Sequence, residues 1–131
     1  NKLIKDHSSS SYADQASLLM GKYLFDAGSY SLALDVIKPL ISNQSKIISS
    51  TAVLRVASIY LQLGQHNEAL STLNIESGDE FSGLIYNLTG DVYLDLGNSD
   101  KAKKYYLLAI ENITENSNLT QLIQIKLDDL N

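Results

Sequence analysis

Acidic side chains are the first candidates for catalysis, because Asp91 and Asp95 lie four residues apart. On a helix this spacing places both carboxylates on one face. To act as a general acid and a general base, the two carboxylates would need different environments that separate their pKa values. No glycine-rich phosphate loop, nucleophile elbow or Ser-His-Asp order accompanies the pair. A solvated acidic face is the favoured interpretation, and we predict no catalytic residue and no enzyme activity.

His7 and His66 are the two imidazoles available to a metal ion, and the chain contains no cysteine. A structural zinc site takes four clustered nitrogen or sulfur ligands. These two histidines lie far apart in the sequence, and no cluster of acidic residues completes a ligand shell. We predict no metal site and no cofactor-binding residue.

The net charge and the hydrophobicity of the chain limit the classes of partner that it can bind. Fifteen acidic and ten basic residues give a net charge of −5, which repels the phosphate backbone of a nucleic acid. The longest apolar stretch, Ile47 to Leu61, is shorter than the ~20 residues of a membrane-spanning helix, and Arg55 interrupts it. We therefore expect proteins as partners, with no nucleic-acid binding and no membrane span in this part of the chain.

Three glycines, Gly28, Gly64 and Gly97, mark an internal repeat with spacings of 36 and then 33 residues. A small residue lies seven positions before each glycine, an alanine five positions after it, and a large residue nine positions after it. Such a period is typical of stacked helix pairs. The small positions are Gly21, Ala57, Gly90, Ala33, Ala69 and Ala102, and the large ones are Ile37, Leu73 and Tyr106.

Two closely crossing antiparallel helices explain each unit. Small residues let the two backbones approach, and a glycine between the helices takes the positive φ at which a helix ends. We predict helices at about 12–27, 30–41, 47–63, 66–74, 80–96 and 99–113, with Pro39 kinking or ending the second. Helical spacing of apolar residues after 117 predicts a seventh helix that caps the last unit. Its apolar residues are Leu119, Leu122, Ile123, Leu127 and Leu130.

The predicted fold is therefore all-α, a solenoid of three antiparallel helix pairs with a C-terminal capping helix. Residues 1–11 end in four serines without a helical period, which predicts a flexible lead. Residues 12–131 form one domain, with repeats at about 12–44, 45–77 and 78–113 and the capping helix at about 118–130.

These spacings resemble the tetratricopeptide repeat (TPR), in which small residues and a turn glycine alternate with aromatic or large aliphatic positions. Two segments, 52–64 (AVLRVASIYLQLG) and 88–97 (LTGDVYLDLG), are similar to the ancillary SecYEG translocon subunit family, the YfgM type. Segments 12–18, 68–73 and 125–130 support this resemblance, which covers about 12–130.

The resemblance implies a short cytoplasmic end, one N-terminal membrane helix in the full-length chain, and this domain on the periplasmic side of the bacterial inner membrane. The implied partners are the SecYEG translocon, a PpiD-like membrane-anchored chaperone, and unfolded client proteins. We expect a protein-protein interaction module that assists secreted proteins. The alternative hypothesis is a soluble TPR adaptor in envelope assembly or cell-division machinery.

In a TPR stack the first helices of successive units line a concave groove, which predicts the partner-binding surface. The alternative is that several of these side chains are buried against neighbours or covered by the last helix. At the five positions of the TPR carboxylate clamp only Lys22 and Arg55 are basic, which favours an amphipathic helix or an unfolded apolar segment as ligand. The ten residues of the predicted groove are Leu18, Lys22, Phe25, Leu54, Ser58, Leu61, Leu84, Asn87, Asp91 and Leu94.

Overall fold

The chain folds into seven α-helices in a computed structural model that describes residues 2–75, 79–113 and 117–130, with side chains described from residue 12 onward except that of Asp79. These ranges contain no strand. Helices joined by a glycine turn pack as pairs, giving three units, α1 with α2, α3 with α4 and α5 with α6. The helices are α1 (Lys2–Asp26), α2 (Tyr30–Ile37), α3 (Lys46–Gln62), α4 (His66–Leu73), α5 (Asp79–Asp95), α6 (Ser99–Glu111) and α7 (Asn118–Asp129).

The all-α TPR-like architecture is thus confirmed, and the predicted start of the first helix is wrong. We placed that start at residue 12, whereas α1 begins at Lys2. No proline or glycine interrupts the sequence before Gly21, and serine costs a helix only a few tenths of a kcal/mol relative to alanine. The helix therefore continues backward through the serine run. The division of the chain into a lead and a repeat domain stays a prediction, and Asn1 and the side chains of residues 2–11, including His7, lie outside the described residues.

Pro39 ends the second helix as predicted, since α2 stops at Ile37 and a 3₁₀ helix follows over Lys38–Ser42. Proline has no N–H to donate and clashes with the carbonyl four residues before it. The tighter 3₁₀ turn places Leu40 in the core. Ser45 then caps α3 by accepting a hydrogen bond from the N–H of Ile48.

The three turn glycines stop the first helix of each unit in the same way. Gly28, Gly64 and Gly97 have φ of 81°, 74° and 80°, the left-handed conformation that costs other residues steric energy. In the first unit the N–H of Ser29 donates to the carbonyl of Leu24 at 2.8 Å, closing a Schellman turn. Equivalent bonds occur in the other two units. This turn reverses the chain so that the second helix packs back on the first.

The small residues lie where the paired helices cross. A methyl group added at Gly90 would lie 2.5 Å from a ring carbon of Tyr106, and one added at Gly21 would overlap the side chain of Ile37. Both pairs occupy the same register of their units. The alanines at the remaining small positions are fully buried, namely Ala33, Ala57, Ala69 and Ala102.

The buried side chains form two clusters. The larger runs through the first two units and reaches α5 through Ile85 and Val92. The smaller joins α6 to α7 and centres on Tyr106 and Ile123. Helix α5 therefore carries one face of each cluster and links the two halves of the stack.

Helix α7 covers the last unit as predicted, with one exception. Ser117 caps it by accepting from the N–H of Thr120. Ile123 and Leu127 are buried against α6, and Leu119 and Leu130 pack at the edge of the same cluster. Leu122 is exposed, because its direction on the helix differs from that of Ile123 by about 100°. The expectation that Leu122 packs inward was wrong.

We expect Ala102→Leu to destabilise the protein by about 1 to 3 kcal/mol, because extra methyl groups at a closed helix crossing force backbone shifts. Denaturant unfolding followed by circular dichroism measures the change. Ala13→Leu, at an exposed position of α1, is the matched control and should leave the free energy of unfolding nearly unchanged. Equal stability of the two variants would contradict the assigned crossing.

Removal of residues 117–131 should expose the buried surface of α6 around Tyr106 and Ala109, since both belong to a cluster completed by α7. We expect a lower melting temperature and self-association, measured by light scattering. Leu122→Ser is the control, because that side chain is already exposed. A monomeric truncated protein that melts with the parent would show that α7 is not a cap.

Candidate protein-binding groove

The first two units contribute a small cavity to the predicted groove. It has a volume of about 250 Å³, and its lining includes Lys22 and Phe25 from α1 and Ser58 from α3. Gly21 and Ile37 contribute to its wall, so the close crossing of α1 and α2 also shapes this cavity. Three of the ten predicted groove residues therefore come together around one concave site.

Arg55 fixes the spacing between α1 and α3 beside this cavity. Its Nη1 donates a hydrogen bond of 2.6 Å to the backbone carbonyl of Leu18. A hydrogen bond from a charged donor is stronger than a neutral one, so this contact ties the first unit to the second. Arg55 also lines the cavity together with Lys22 and Asp26. The cavity thus has an apolar interior with two cations and one carboxylate among its lining residues.

The remaining groove residues of the first two units serve packing as well. Leu18, Leu54 and Leu61 are half-buried and pack against the larger core cluster, and so does Phe25. Phe25 also contacts the ring edge of Tyr30 at a centroid distance of 5.3 Å. Each of these side chains keeps part of its surface exposed. Burial against neighbours, the alternative interpretation, therefore applies to them, and their role in binding a partner stays a prediction.

In the third unit a lysine from α7 occupies the polar part of the predicted groove. Lys126 Nζ donates to Asn87 Oδ1 at 3.0 Å and to Asp91 Oδ1 at 3.0 Å. It also lies 5.4 Å from the ring centroid of Tyr106, within cation–π range. Asn87 and Asp91 are therefore engaged within the protein, as the alternative interpretation expected for residues covered by the last helix.

Asp91 also accepts a hydrogen bond of 2.6 Å from the hydroxyl of Tyr106. Burial of the phenol, then this hydrogen bond and the carboxylate charge, raise the pKa of Tyr106 well above its ordinary value. The hydroxyl stays protonated at physiological pH and remains a donor to Asp91. The carboxylate is thus held between Tyr106 and Lys126.

Leu84 and Leu94, the last two predicted groove residues, are exposed at opposite ends of α5. They flank the polar network formed by Asn87, Asp91 and Lys126. The apolar surface of the third unit is consequently interrupted by this network.

The sequence pattern did not predict the contacts that Arg55 and Lys126 make beside the groove. A signal for Lys126 was available, because it is the only basic residue of α7 and lies between the buried residues Ile123 and Leu127. A lone cation at the border of a buried face commonly pairs with a carboxylate of a neighbouring helix. The bond from Arg55 to a backbone carbonyl had no comparable signal.

The two carboxylates first considered for catalysis have different structural partners. Asp91 binds Lys126 and Tyr106, and Asp95 lies 2.6 Å from Nε2 of His66 at the start of α4. Among the described residues no three histidine or acidic side chains cluster as metal ligands would. No helix within the described ranges has both the length and the hydrophobicity required to cross a bilayer.

Comparison with known proteins places this architecture in a family. The whole chain, residues 1–131, matches the family model of the tetratricopeptide repeat-like domain. It is 34% identical to the ancillary SecYEG translocon subunit of Aggregatibacter actinomycetemcomitans and 33% identical to that of Neisseria gonorrhoeae. Each alignment spans 99% of this chain and 63% of the relative. The chain thus spans less than two thirds of the length of these relatives.

A solved structure shares the fold. The Yersinia enterocolitica type III secretion chaperone SycD, in complex with a peptide of the translocator YopD, superposes with a TM-score of 0.75 over 88% of this chain and 90% of that chain. The two sequences are 16% identical, so this likeness concerns the fold alone. The glycine turns and the small-residue crossings agree with the family match. The chain therefore belongs to the tetratricopeptide repeat-like domain family and is related to the ancillary SecYEG translocon subunits.

Proposed function

We propose that this chain is a protein-interaction module of an ancillary translocon subunit. In this proposal it docks on a PpiD-like membrane-anchored chaperone and on the SecYEG channel, and it assists secreted proteins. The observation that carries the proposal is the concave cavity of about 250 Å³ between α1 and α3, lined by Lys22, Phe25 and Ser58. The relationship to proteins named ancillary SecYEG translocon subunits supports the choice of partner.

The chemistry of the cavity favours an apolar side chain on an amphipathic helix or an unfolded segment. Such a side chain would fill the volume beside Phe25 and Ile59, and Lys22 and Arg55 would accommodate an acidic neighbour on the ligand. Burial of an apolar anchor in a pocket is the usual source of binding energy at a protein interface. SycD, which shares this fold, was solved with a bound peptide, and that supports a peptide ligand for the fold.

A non-enzymatic role is consistent with the acidic residues of the chain. Asp91 is held by Lys126 and Tyr106, and Asp95 pairs with His66. A general acid or base must be free to exchange a proton with a substrate. We further propose that the domain faces the periplasm at the bacterial inner membrane and that one N-terminal helix anchors the full-length chain. Both points rest on the association with the translocon that the relatives' names state.

Ser58→Lys is the sharpest test of the groove, because it places a long charged side chain in the cavity without removing a packed leucine. We expect immobilised protein carrying this change to capture purified SecYEG and the PpiD-like chaperone at least tenfold less than the parent. Loss of one central anchor typically costs on the order of 2 kcal/mol of binding free energy, which corresponds to a more than tenfold loss of affinity. Leu54→Asp and Leu61→Asp should weaken capture as well, with helix content checked by circular dichroism because both leucines pack against the core.

Lys22→Ala is the milder comparison, since a single exposed charge contributes little once solvent screens it. Ser31→Lys, at an exposed position of α2, controls for the added charge and should not reduce capture. If Ser58→Lys folds normally and captures both partners as well as Ser31→Lys does, the groove is not the docking surface. Absence of capture by the parent itself would contradict the proposed partners.

A further inference from the structure

One face of α1 presents a row of apolar side chains to solvent. At about 100° per residue, the row lies within an arc of about 120° around the helix axis. Between Tyr12 and Asp26, every residue in this arc is exposed and none is charged. Leu19 and Tyr23 are each 69% exposed, and Met20 is 52% exposed. This surface, here called the open face of α1, consists of Tyr12, Ala13, Ala16, Leu19, Met20 and Tyr23.

The internal repeat relates the open face to a buried face in each of the other two units. Counted from the turn glycines, Met20 corresponds to Val56 of α3, and Tyr23 corresponds to Ile59. Both residues of α3 are fully buried. In α5 the same two positions are again buried, and they hold Thr89 and Val92. The repeat thus assigns these positions to the contact between successive units, and only the first unit leaves them in solvent.

A preceding helix pair covers this face wherever it is buried. Helix α3 packs against α1, α2 and the 3₁₀ helix that follows α2. Two hydrogen bonds join the units there, from the hydroxyl of Ser49 to the carbonyl of Ile41 and from Arg55 to the carbonyl of Leu18. Helix α5 packs in the same way against α3 and α4. The occupant of the face is therefore a helix pair in both units where the face is buried.

The opposite end of the stack has a different surface. Helix α7 buries Ile123 and Leu127, and five of its seven exposed residues are polar or charged. A solenoid needs a polar outer surface on its terminal repeat, and α7 provides one. The five residues are Asn118, Gln121, Gln124, Asp128 and Asp129. The open face of α1 has no such character, so it has the composition of an internal contact and not that of an end.

The relatives contain enough additional chain for one more helix pair. The 131 aligned residues make up 63% of the Aggregatibacter actinomycetemcomitans subunit, so about 75 of its residues lie outside the alignment. One helix pair of the present chain occupies 33 to 36 residues, the spacing of its turn glycines. The additional residues therefore suffice for a helix pair together with a membrane helix of ~20 residues.

A second copy of this chain, stacked head to tail, fits the open face less well. Such stacking would bring α7 of one copy onto α1 of the next. Asp128 and Asp129, both exposed on α7, would then lose contact with water, and the open face contains no cation to pair with them. Removing a carboxylate from water without a paired charge is strongly unfavourable.

We propose that in the full-length protein a further helix pair, N-terminal to this chain, stacks on the open face of α1. It covers Met20 and Tyr23 in the way that the first unit covers Val56 and Ile59. The stack then has four helix pairs, and its row of first helices extends beyond α1. This inference concerns the packing of the repeats and does not depend on which surface binds the partners proposed above.

Single cysteines test this inference, because the 131-residue chain contains none of its own. Met20→Cys and Tyr23→Cys are made in the 131-residue chain and in the full-length protein, with any other cysteine there changed to serine. Reaction with a thiol reagent is then timed. We expect the rate in the full-length protein to be lower by a factor of about ten or more, because a covered thiol is inaccessible. Equal rates in the two proteins would overturn the proposal.

Ser31→Cys is the matched control. Its counterparts Asn67 and Asp100 are exposed in units that do have a preceding pair, so Ser31→Cys should react equally fast in both proteins.

Two further measurements identify the occupant of the open face. Deleting the 36 residues that precede this chain in the full-length protein, the length of one repeat, should restore the fast reaction of Met20→Cys. Retained protection would show that another segment or the detergent covers the face, which would contradict the proposal. Protection within the 131-residue chain that increases with protein concentration would assign the face to a second copy and would equally overturn it.

Discussion

The close crossing of the two helices in each unit is the constraint on which the remaining architecture depends. At Gly21 and Gly90 the partner helix presents Ile37 and Tyr106 so near the backbone that even a methyl group would overlap them. Protein interiors are packed at nearly crystalline density, so this approach fixes the distance and direction of the second helix. The second helix in turn determines where the next unit can stack. A turn glycine with positive φ makes the crossing possible, because it reverses the chain within a few residues.

Differences among the three units then create the concave sites. The first two units share one core cluster, and the contact of Arg55 with the Leu18 carbonyl holds α1 beside α3 around a small cavity. The second helices α2 and α4 both have 8 residues, but α2 is followed by the 3₁₀ helix Lys38–Ser42, which packs against α3, whereas α4 ends at Leu73. Between α4, α5 and α6 lies a cleft of about 760 Å³. The way in which the second helices end thus gives a regular repeat two unlike surfaces.

Helix α7 both completes the core and limits the groove. Ile123 and Leu127 cover α6, and this burial positions Lys126 over Asn87 and Asp91. The charge of Lys126 compensates the charge of the Asp91 carboxylate, which is partly removed from solvent. The hydroxyl of Tyr106 donates a further hydrogen bond to the same carboxylate. The polar residues of the third unit are consequently occupied. An apolar ligand is left with the surface between the first and second units, where the proposed docking site lies.

The sequence by itself determined the class of the fold, the number of helix pairs, the turn glycines, the close crossings and the capping helix. These features are local or periodic, and each requires a particular residue type at a fixed spacing, as with Gly97 before Ala102. The start of α1 was missed, because serines are tolerated inside a helix that already has a nucleus. Only the tertiary structure decided that Lys126 engages Asp91, that Arg55 binds the Leu18 carbonyl, and that Tyr86, Tyr93 and Tyr105 stack in one wall. Such contacts join side chains far apart in the chain, and their geometry follows from how the helices stack, which no local spacing encodes.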